Sequence, residues 1–407
     1  MKARILLSII CGILIFFQQA PPEKPTNLRV NAQTVSPAFF GMHIHHAGGT
    51  TPWPEVPFAE WRLWDAYVAW PSLEPQKGRW HFETLDKYVA LAEQHNVGIL
   101  LPLGLTPQWA SARPQEKSTY QPGNAAEPRD MEDWQNYVKT VASRYKGRIR
   151  EYEIWNEPNS KSFWTGDIDQ MIDLTREAAK IIHGIDAEAK VVSPAATTMN
   201  GIPWLVEFLA KGGGQFVDVI GFHFYVTPQA PETMVLLIRE VKRAMNENGV
   251  ASKPLWDTET GWAGPKPFPS PQLAASYLAR AQLLAWANGV ERLYWYAWDN
   301  HAWVSLQTTE ADNRTLTAAG KAYGVMQDWL VGANVEECAE KSKGIWICSL
   351  TREGNRQWIA WSTTQTRTFN PDLPIKNVAT LSGESRNTNS AEIEIGPEPV
   401  LLTTSQK

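Results

Sequence analysis

The chain predicts an α/β fold: a closed, parallel (β/α)8 barrel followed by a small C-terminal β-sandwich. Three observations carry this. Between about residues 37 and 330, eight short apolar runs alternate with helix-period patterns. After Leu330 the helical patterns stop and short strand-like runs take over. The composition, 43% hydrophobic and 20% charged, is that of a globular chain long enough for one large domain and a small one.

The candidate strands are Phe39–His45, Trp61–Asp65, Gly98–Leu103, Arg150–Trp155, Lys190–Ser193, Val217–Phe224, Pro254–Thr258 and Arg292–Trp298. The candidate helices are Glu83–His95, Met131–Tyr145, Met171–Ile185, Glu232–Met245, Ala274–Asn288 and Leu316–Leu330. In the first of these, Leu85, Tyr88, Val89, Leu91 and Ala92 fall largely on one face. Strict alternation over eight strands reads as a TIM barrel rather than an open sheet. The barrel domain is assigned to 21–333 and the sandwich to 334–407. In the sandwich, Gly344–Thr351 and Arg356–Thr363 are joined through Glu353-Gly354-Asn355, a hairpin signal. Val378–Leu381, Ala391–Ile395 and Val400–Thr403 continue it, and residues 24–36 are a candidate additional strand.

Residues 1–20 read as a secretory signal: Lys2 and Arg4, an apolar run from Ile5 to Phe17, then Gln18-Gln19-Ala20. The run is short for a membrane span. The expected location is therefore secreted or periplasmic, with no stable membrane insertion after cleavage; an uncleaved anchor is the alternative. The net charge of −5 becomes more negative without Lys2 and Arg4, and no basic stripe is present, which argues against nucleic-acid partners. For Cys338 and Cys348 two readings stay open, a hairpin disulfide or two separate thiols. Nothing in the sequence specifies an oligomeric state.

Two runs point to chemistry: Ile154-Trp155-Asn156-Glu157-Pro158-Asn159 and Trp256-Asp257-Thr258-Glu259-Thr260-Gly261-Trp262. Each sets a glutamate at the end of a β-prone stretch, after the fourth and at the seventh strand. Parallel barrels build their sites from the loops at the strand C-termini, so these two carboxylates face one another across the mouth. An opposed pair, one holding a proton for a departing oxygen and one attacking or activating water, is the equipment for glycosidic cleavage. A chain with 20 Trp also has flat amphipathic faces to offer sugar rings.

Trp155-Asn156-Glu157-Pro158, paired with Thr258-Glu259, resembles clan A of the glycoside hydrolases, most nearly family 39 and its neighbours in family 5. The resemblance covers residues 37–330, and the C-terminal sandwich resembles family 39 as well. It implies a retaining hydrolase of β-glycosidic bonds in a polysaccharide or oligosaccharide, needing no metal or organic cofactor. It makes Glu157 the acid/base and Glu259 the nucleophile. It places Arg62 beside the nucleophile, Tyr225 (with His223 second) as a hydrogen-bond donor to it, and Trp298 as a platform beneath the sugar. A neutral amide at Asn156 suits a sugar 2-hydroxyl without perturbing charge. His45 is a candidate for sugar hydroxyls, Trp109 for a binding wall and Trp262 for a loop platform, with Trp164 and Trp303 in similar positions. Glu153 and Asp257 read as paired structural carboxylates.

Family 39 includes xylosidases that trim chain ends and hydrolases that act within exopolysaccharides. The loop tryptophans favour a multi-ring cleft and endo action, while the long polar stretch from Ser111 to Asp130 suits either a cleft wall or a pocket cap; an exo-acting xylosidase is the alternative. Two readings of other classes stand beside these. One is a barrel that binds carbohydrate without cleaving it. The other is a metal-dependent hydrolase using His43 and His45 with His223 and Asp299, which would lack a histidine on strand five and a lysine on strand four.

Overall fold

The computed structural model describes residues 34–264, 267–371, 374–388, 390 and 392–404. The leader assigned to 1–20 and most of the candidate strand 24–36 lie outside the described residues. Within them, eight parallel strands form the barrel: β1 (Phe40–Met42), β2 (Glu60–Arg62), β3 (Gly98–Pro102), β4 (Glu151–Glu153), β5 (Lys190–Val192), β6 (Ile220–His223), β7 (Leu255–Thr260) and β8 (Arg292–Trp295). All eight candidate strands are present, seven of them shortened and β7 running two residues past its expected end. β1 pairs with both β2 and β8, and neighbours follow in order round the sheet. The ring closes where Val192 bridges Val219 in parallel and the Ser193 N–H donates to the Val219 carbonyl at 3.0 Å. Beyond a break at Pro194, Ala196–Thr197 resumes the line of β5 and pairs with Phe222 and His223.

The alternation of strand side chains divides two cores. Phe40, Met42, Trp61, Ile99, Leu101, Tyr152, Val191, Phe222 and Leu293 face the surrounding helices in the main hydrophobic core. Leu100, Val192, Val219, Trp256 and Tyr294 fill the barrel interior. The six candidate helices are found within a few residues of their expected limits, Glu83–His95 at the expected ones. The helix Ile168–Ile185 starts with a capping box, Asp167 accepting from the Gln170 N–H and Gln170 reaching back. The helix Ile202–Ala210 was not anticipated: its Ile-Pro-Trp-Leu-Val start is too apolar to show a stripe, and Pro203 sits where a first turn tolerates it.

The C-terminal part forms a six-stranded antiparallel sheet and a two-stranded one, around Ile347, Trp358, Ile375, Ile393 and Leu402. Its first strand, Asn334–Ser342, was not anticipated, because Glu, Lys and Ser dominate its exposed positions. Ile345–Arg352 and Asn355–Ser362 form the expected hairpin, with Glu353 and Gly354 in the left-handed region at the turn. Cys338 and Cys348 face each other across the first two strands and are joined as a disulfide. Thr34 bridges Asn334, the part of the 24–36 segment that is described. The barrel holds this unit through Trp361, whose indole donates to Glu232 at 2.8 Å, and through Arg352, which caps the carbonyls of Asp328, Trp329 and Val331.

Candidate active site

The site assembles at the C-terminal ends of β2, β4, β6 and β7. Arg62, the last residue of β2, is fully buried and shares its guanidinium among three partners. Nε and Nη2 donate to the two oxygens of Glu153 at 2.9 and 2.8 Å, Nη2 also to Asn156 Oδ1 at 2.8 Å, and Nη1 to Glu259 Oε2 at 2.7 Å. Glu153 thus has the structural pairing expected of it, and the forked cation orients Glu259 and Asn156 together.

Glu259 reaches this position through a break in alternation. Trp256 points into the barrel, so three residues later the side chain should point outward. The pairing of β7 with β8 shifts register between Asp257 and Thr260, and Glu259 faces the mouth. A bulge beside a site, re-aiming one side chain, is a common device. Asp257 is left buried, accepting from the Phe224 N–H at 3.3 Å. The other oxygen of Glu259 accepts from the Tyr225 hydroxyl at 3.0 Å. His223 faces elsewhere: its Nδ1 lies 3.0 Å from Glu157 Oε1. Burial pulls this imidazole down to about 4, so it is neutral at ordinary pH.

Glu157 is set by the turn that follows β4. Trp155 and Glu157 both have positive φ, 118° and 44°. Gly104 leaves room for that turn, since a Cβ there would lie 2.8 Å from the Trp155 ring. The Glu157 N–H donates to the Ala195 carbonyl at 2.9 Å, tying the turn to the resumed β5. Burial raises the Glu157 carboxyl to about 7; Asp65 adds to this, while the Thr197 hydroxyl and Arg62 oppose it. Burial also raises Glu259, against the pull of His223 and Arg62. Oxygens of the two carboxylates and a nitrogen of His223 all lie within 4.8 Å of one another. Such a trio could gather a cation, but the guanidinium held against Glu259 already supplies positive charge there.

The pair opens on a cavity of about 590 Å³ lined by Trp64, Tyr120, Asn156, Phe163, Tyr296 and Trp303, among others. Three expected contributors lie elsewhere. Trp298 is buried in the main core with its indole on the Asn313 carbonyl, because β8 ends at Trp295 and its alternation with it; Tyr296 takes the mouth position. Trp262 is buried against Trp295 and Tyr277 with its indole on Gln229. Trp109 packs on Trp70 and donates to the Glu74 carbonyl. Trp164 is likewise a buried loop anchor, on the Asp167 carbonyl. Trp303 alone of the loop tryptophans singled out lines the cavity, about half exposed. His45 lines an adjoining cavity instead. His43 is buried with Nε2 3.2 Å from the Thr258 carbonyl, and Asp299 accepts from the backbone N–H groups of His45 and His46 and from Thr51, so neither is placed as in the metal-hydrolase reading.

Residues missed from sequence include Trp64, Asp65, Tyr120 and Tyr296. Asp65 accepts from the Tyr120 hydroxyl at 2.5 Å and from Tyr296 at 2.6 Å. The signal for Trp64 and Asp65 was their place right after Arg62; for Tyr120 it was the long polar loop.

The model of the glycosyl hydrolases family 39 matches residues 63–297, more than half of the chain and the stretch from just after β2 to just after β8. The chain belongs to family 39. A family 39 glycoside hydrolase from Bacteroides cellulosilyticus WH2 superposes with a TM-score of 0.74 at 18% identity, covering 91% of this chain and 81% of that one, a likeness of fold. A β-xylosidase of Caldicellulosiruptor saccharolyticus is 37% identical over 119 residues, 27% of this chain and 24% of that protein. Endo-1,4-β-xylanase C of Paenibacillus barcinonensis is 26% identical over 207 residues, 44% of this chain and 18% of that protein. The chain thus spans a quarter or less of the length of this β-xylosidase and this xylanase. In this chain Glu157 follows β4 and Glu259 lies at the end of β7, where the sequence places its carboxylate pair.

Proposed function

We propose that this chain is a retaining β-glycoside hydrolase of xylose-containing glycans. The observation that carries it is the opposed pair: Glu157 and Glu259 have oxygens within 4.8 Å, and Glu259 alone is gripped by Arg62. Retaining enzymes hold their carboxyl groups at about 5–5.5 Å. Arg62 and Tyr225 both donate to Glu259, so the negative charge of the pair rests there and the proton on Glu157. Glu259 attacks the anomeric carbon while Glu157 protonates the departing glycosidic oxygen, which leaves as the alcohol. Esterification removes the charge of Glu259. Glu157, now a carboxylate, takes a proton from water, whose oxygen attacks the anomeric carbon and frees Glu259. Asn156, held by its oxygen on Arg62, has its amide hydrogens left for a sugar hydroxyl.

Xylose is the sugar named for the curated relatives above. Endo action is the reading favoured by exposed aromatics around an open mouth: Tyr67, Tyr120 and Trp303 all line the cavities there. The exo reading is favoured by Asp65, Tyr120 and Tyr296, which stand as a hydrogen-bonded wall at one side of the carboxylates. Export through residues 1–20 is part of the proposal; no helix among the described residues is long and apolar enough to cross a membrane.

Glu259→Ala tests the reaction. Turnover of an aryl β-xyloside should be nearly abolished, and added azide should yield the inverted glycosyl azide. Substantial hydrolysis remaining in the variant would sink the assignment. Product sizes from xylan separate endo from exo action.

A further inference from the structure

A second cavity, about 660 Å³, adjoins the first and shares Trp64, Asp65, Thr119, Tyr120 and Asn300 with it. The mechanism above makes no use of it. Its lining comes from the loops after β1, β2, β3 and β8, and it contains neither Glu157 nor any residue following β4, β5 or β6. Neither catalytic glutamate lines it, and it lies on the side of the mouth away from the loops after β4, β5 and β6 that carry the proton donor. A leaving group must sit beside the donor, so this cavity lies on the side of the chain that keeps the anomeric carbon.

Its chemistry is that of a sugar site. Tyr67 stands 67% exposed at its edge, and the imidazole of His46 lies tilted to its ring with centroids 5.8 Å apart. Around it are His45, Gln121, Asn300 and His301, polar side chains that can meet hydroxyls. His45 is 4% exposed, and its Nε2 has no hydrogen-bond partner among the described residues. A buried polar atom without a partner is costly unless a ligand or water completes it.

The cavity is also built rather than incidental. Asp299 takes the N–H groups of His45 and His46 at 2.9 and 3.0 Å and the Thr51 hydroxyl at 2.6 Å, and the Tyr88 hydroxyl holds the His45 carbonyl at 3.0 Å. Asp65 and Tyr67 both have positive φ, 55° and 61°. Of nine such non-glycine residues among those described, five (Asp65, Tyr67, Leu105, Glu157 and Thr198) line one cavity or the other. Backbone strain of this kind collects at functional sites, where surrounding structure holds it.

We propose that this second cavity is a sugar subsite, seating the pyranose next to the cleaved one on its non-reducing side, with Tyr67 as its platform and His45 as a hydroxyl partner. This rests on the glycosidase reading above and extends it. Asp65, clamped by Tyr120 and Tyr296, is the wall past which the chain must run, and this wall sets how many rings the enzyme engages.

The test compares kcat/KM for 4-nitrophenyl β-xyloside and 4-nitrophenyl β-xylobioside. The leaving group is the same, so the ratio reports the added ring alone. The wild type should favour the xylobioside by about tenfold or more, and Tyr67→Ala should cut that ratio by about tenfold. Tyr67 is mostly exposed, so its truncation should leave the melting temperature in place. A wild-type ratio near one, or a ratio unchanged in the variant, would overturn the subsite. Hydrolysis of neither compound by the wild type would instead overturn the glycosidase reading, and the subsite with it.

Discussion

The guanidinium of Arg62 lies 2.7 Å from the carboxylate of Glu259 and, by its other edge, 2.8 and 2.9 Å from Glu153. One buried cation thus serves two carboxylates and the Asn156 amide oxygen. Its charge cannot be lost within the working pH range, and its planar fork fixes all three partners at once.

Removing it should therefore harm stability and chemistry together. Arg62→Met leaves Glu153 and Glu259 buried without their cation, which costs about 3–5 kcal/mol. Arg62→Lys keeps a charge but loses the fork, so it should unfold at higher urea than the Met variant while remaining far less active than wild type. Urea titrations with kcat/KM measured on the same samples check this. Wild-type stability in Arg62→Met would show that the ion pairs do not hold the barrel mouth.

The pH profile should follow Glu157. Its carboxyl, raised by burial to about 7, must be protonated to assist departure. The active fraction is full below that value and falls as pH rises through it, so kcat/KM should decline about tenfold per unit on the alkaline side. In Glu157→Gln, assayed with an aryl leaving group that departs without a proton, that decline should vanish. An unchanged alkaline limb in the variant would move the role to another group.

The barrel and the pair were readable because both are local patterns. Eight β-prone runs separated by amphipathic helices leave one closed arrangement, and Asn156-Glu157 and Thr258-Glu259 sit where strands end. Arg62 and Tyr225 were singled out by the resemblance, and the end of β2 and the residues just past β6 bring both side chains to Glu259. The tryptophans were not readable. Trp298 was made a platform by the resemblance, on a candidate strand that ends three residues earlier in the structure, and Trp109 and Trp262 lie in loops whose path no periodicity describes. Glu259 was expected at the mouth only because its motif was read: the inward face of Trp256 would have turned it outward without the shift at Asp257. The Asp65 clamp joins residues 55 and 231 positions apart, a relation that no local pattern encodes.

Tyr225→Phe should separate orientation from packing. The ring is buried and the edit removes only a hydroxyl, 3.0 Å from Glu259 Oε1. A hydrogen bond to a charged group contributes about 1.5–3 kcal/mol, so kcat should fall by about tenfold to a hundredfold. Because the donor favours ionised Glu259, the acid limb of the pH profile should move to higher pH. A fall in kcat with no movement of that limb would assign Tyr225 to packing alone.

At the opposite end of the barrel, Glu60 offers a test of stability apart from catalysis. Its Oε1 is 3.1 Å from Arg292 Nη1, but that cation is held more closely by Glu151, at 2.5 Å, and Glu60 Oε2 has no partner among the described residues. Burial, with Glu151 adding, raises Glu60 from an ordinary 4.5 to about 8, against Arg292 and Lys190. A carboxyl raised in the folded state binds its proton more tightly there than in the unfolded chain. Its contribution is complete below about 4.5 and is lost as pH rises through about 8. Glu60→Gln is neutral at every pH and lacks that loss. Melting temperatures of wild type and variant should therefore lie closest in acid and separate on the alkaline side, with the variant the more stable above pH 8. Parallel curves across the range would show that Glu60 is ionised in the fold and that Arg292 balances both floor carboxylates.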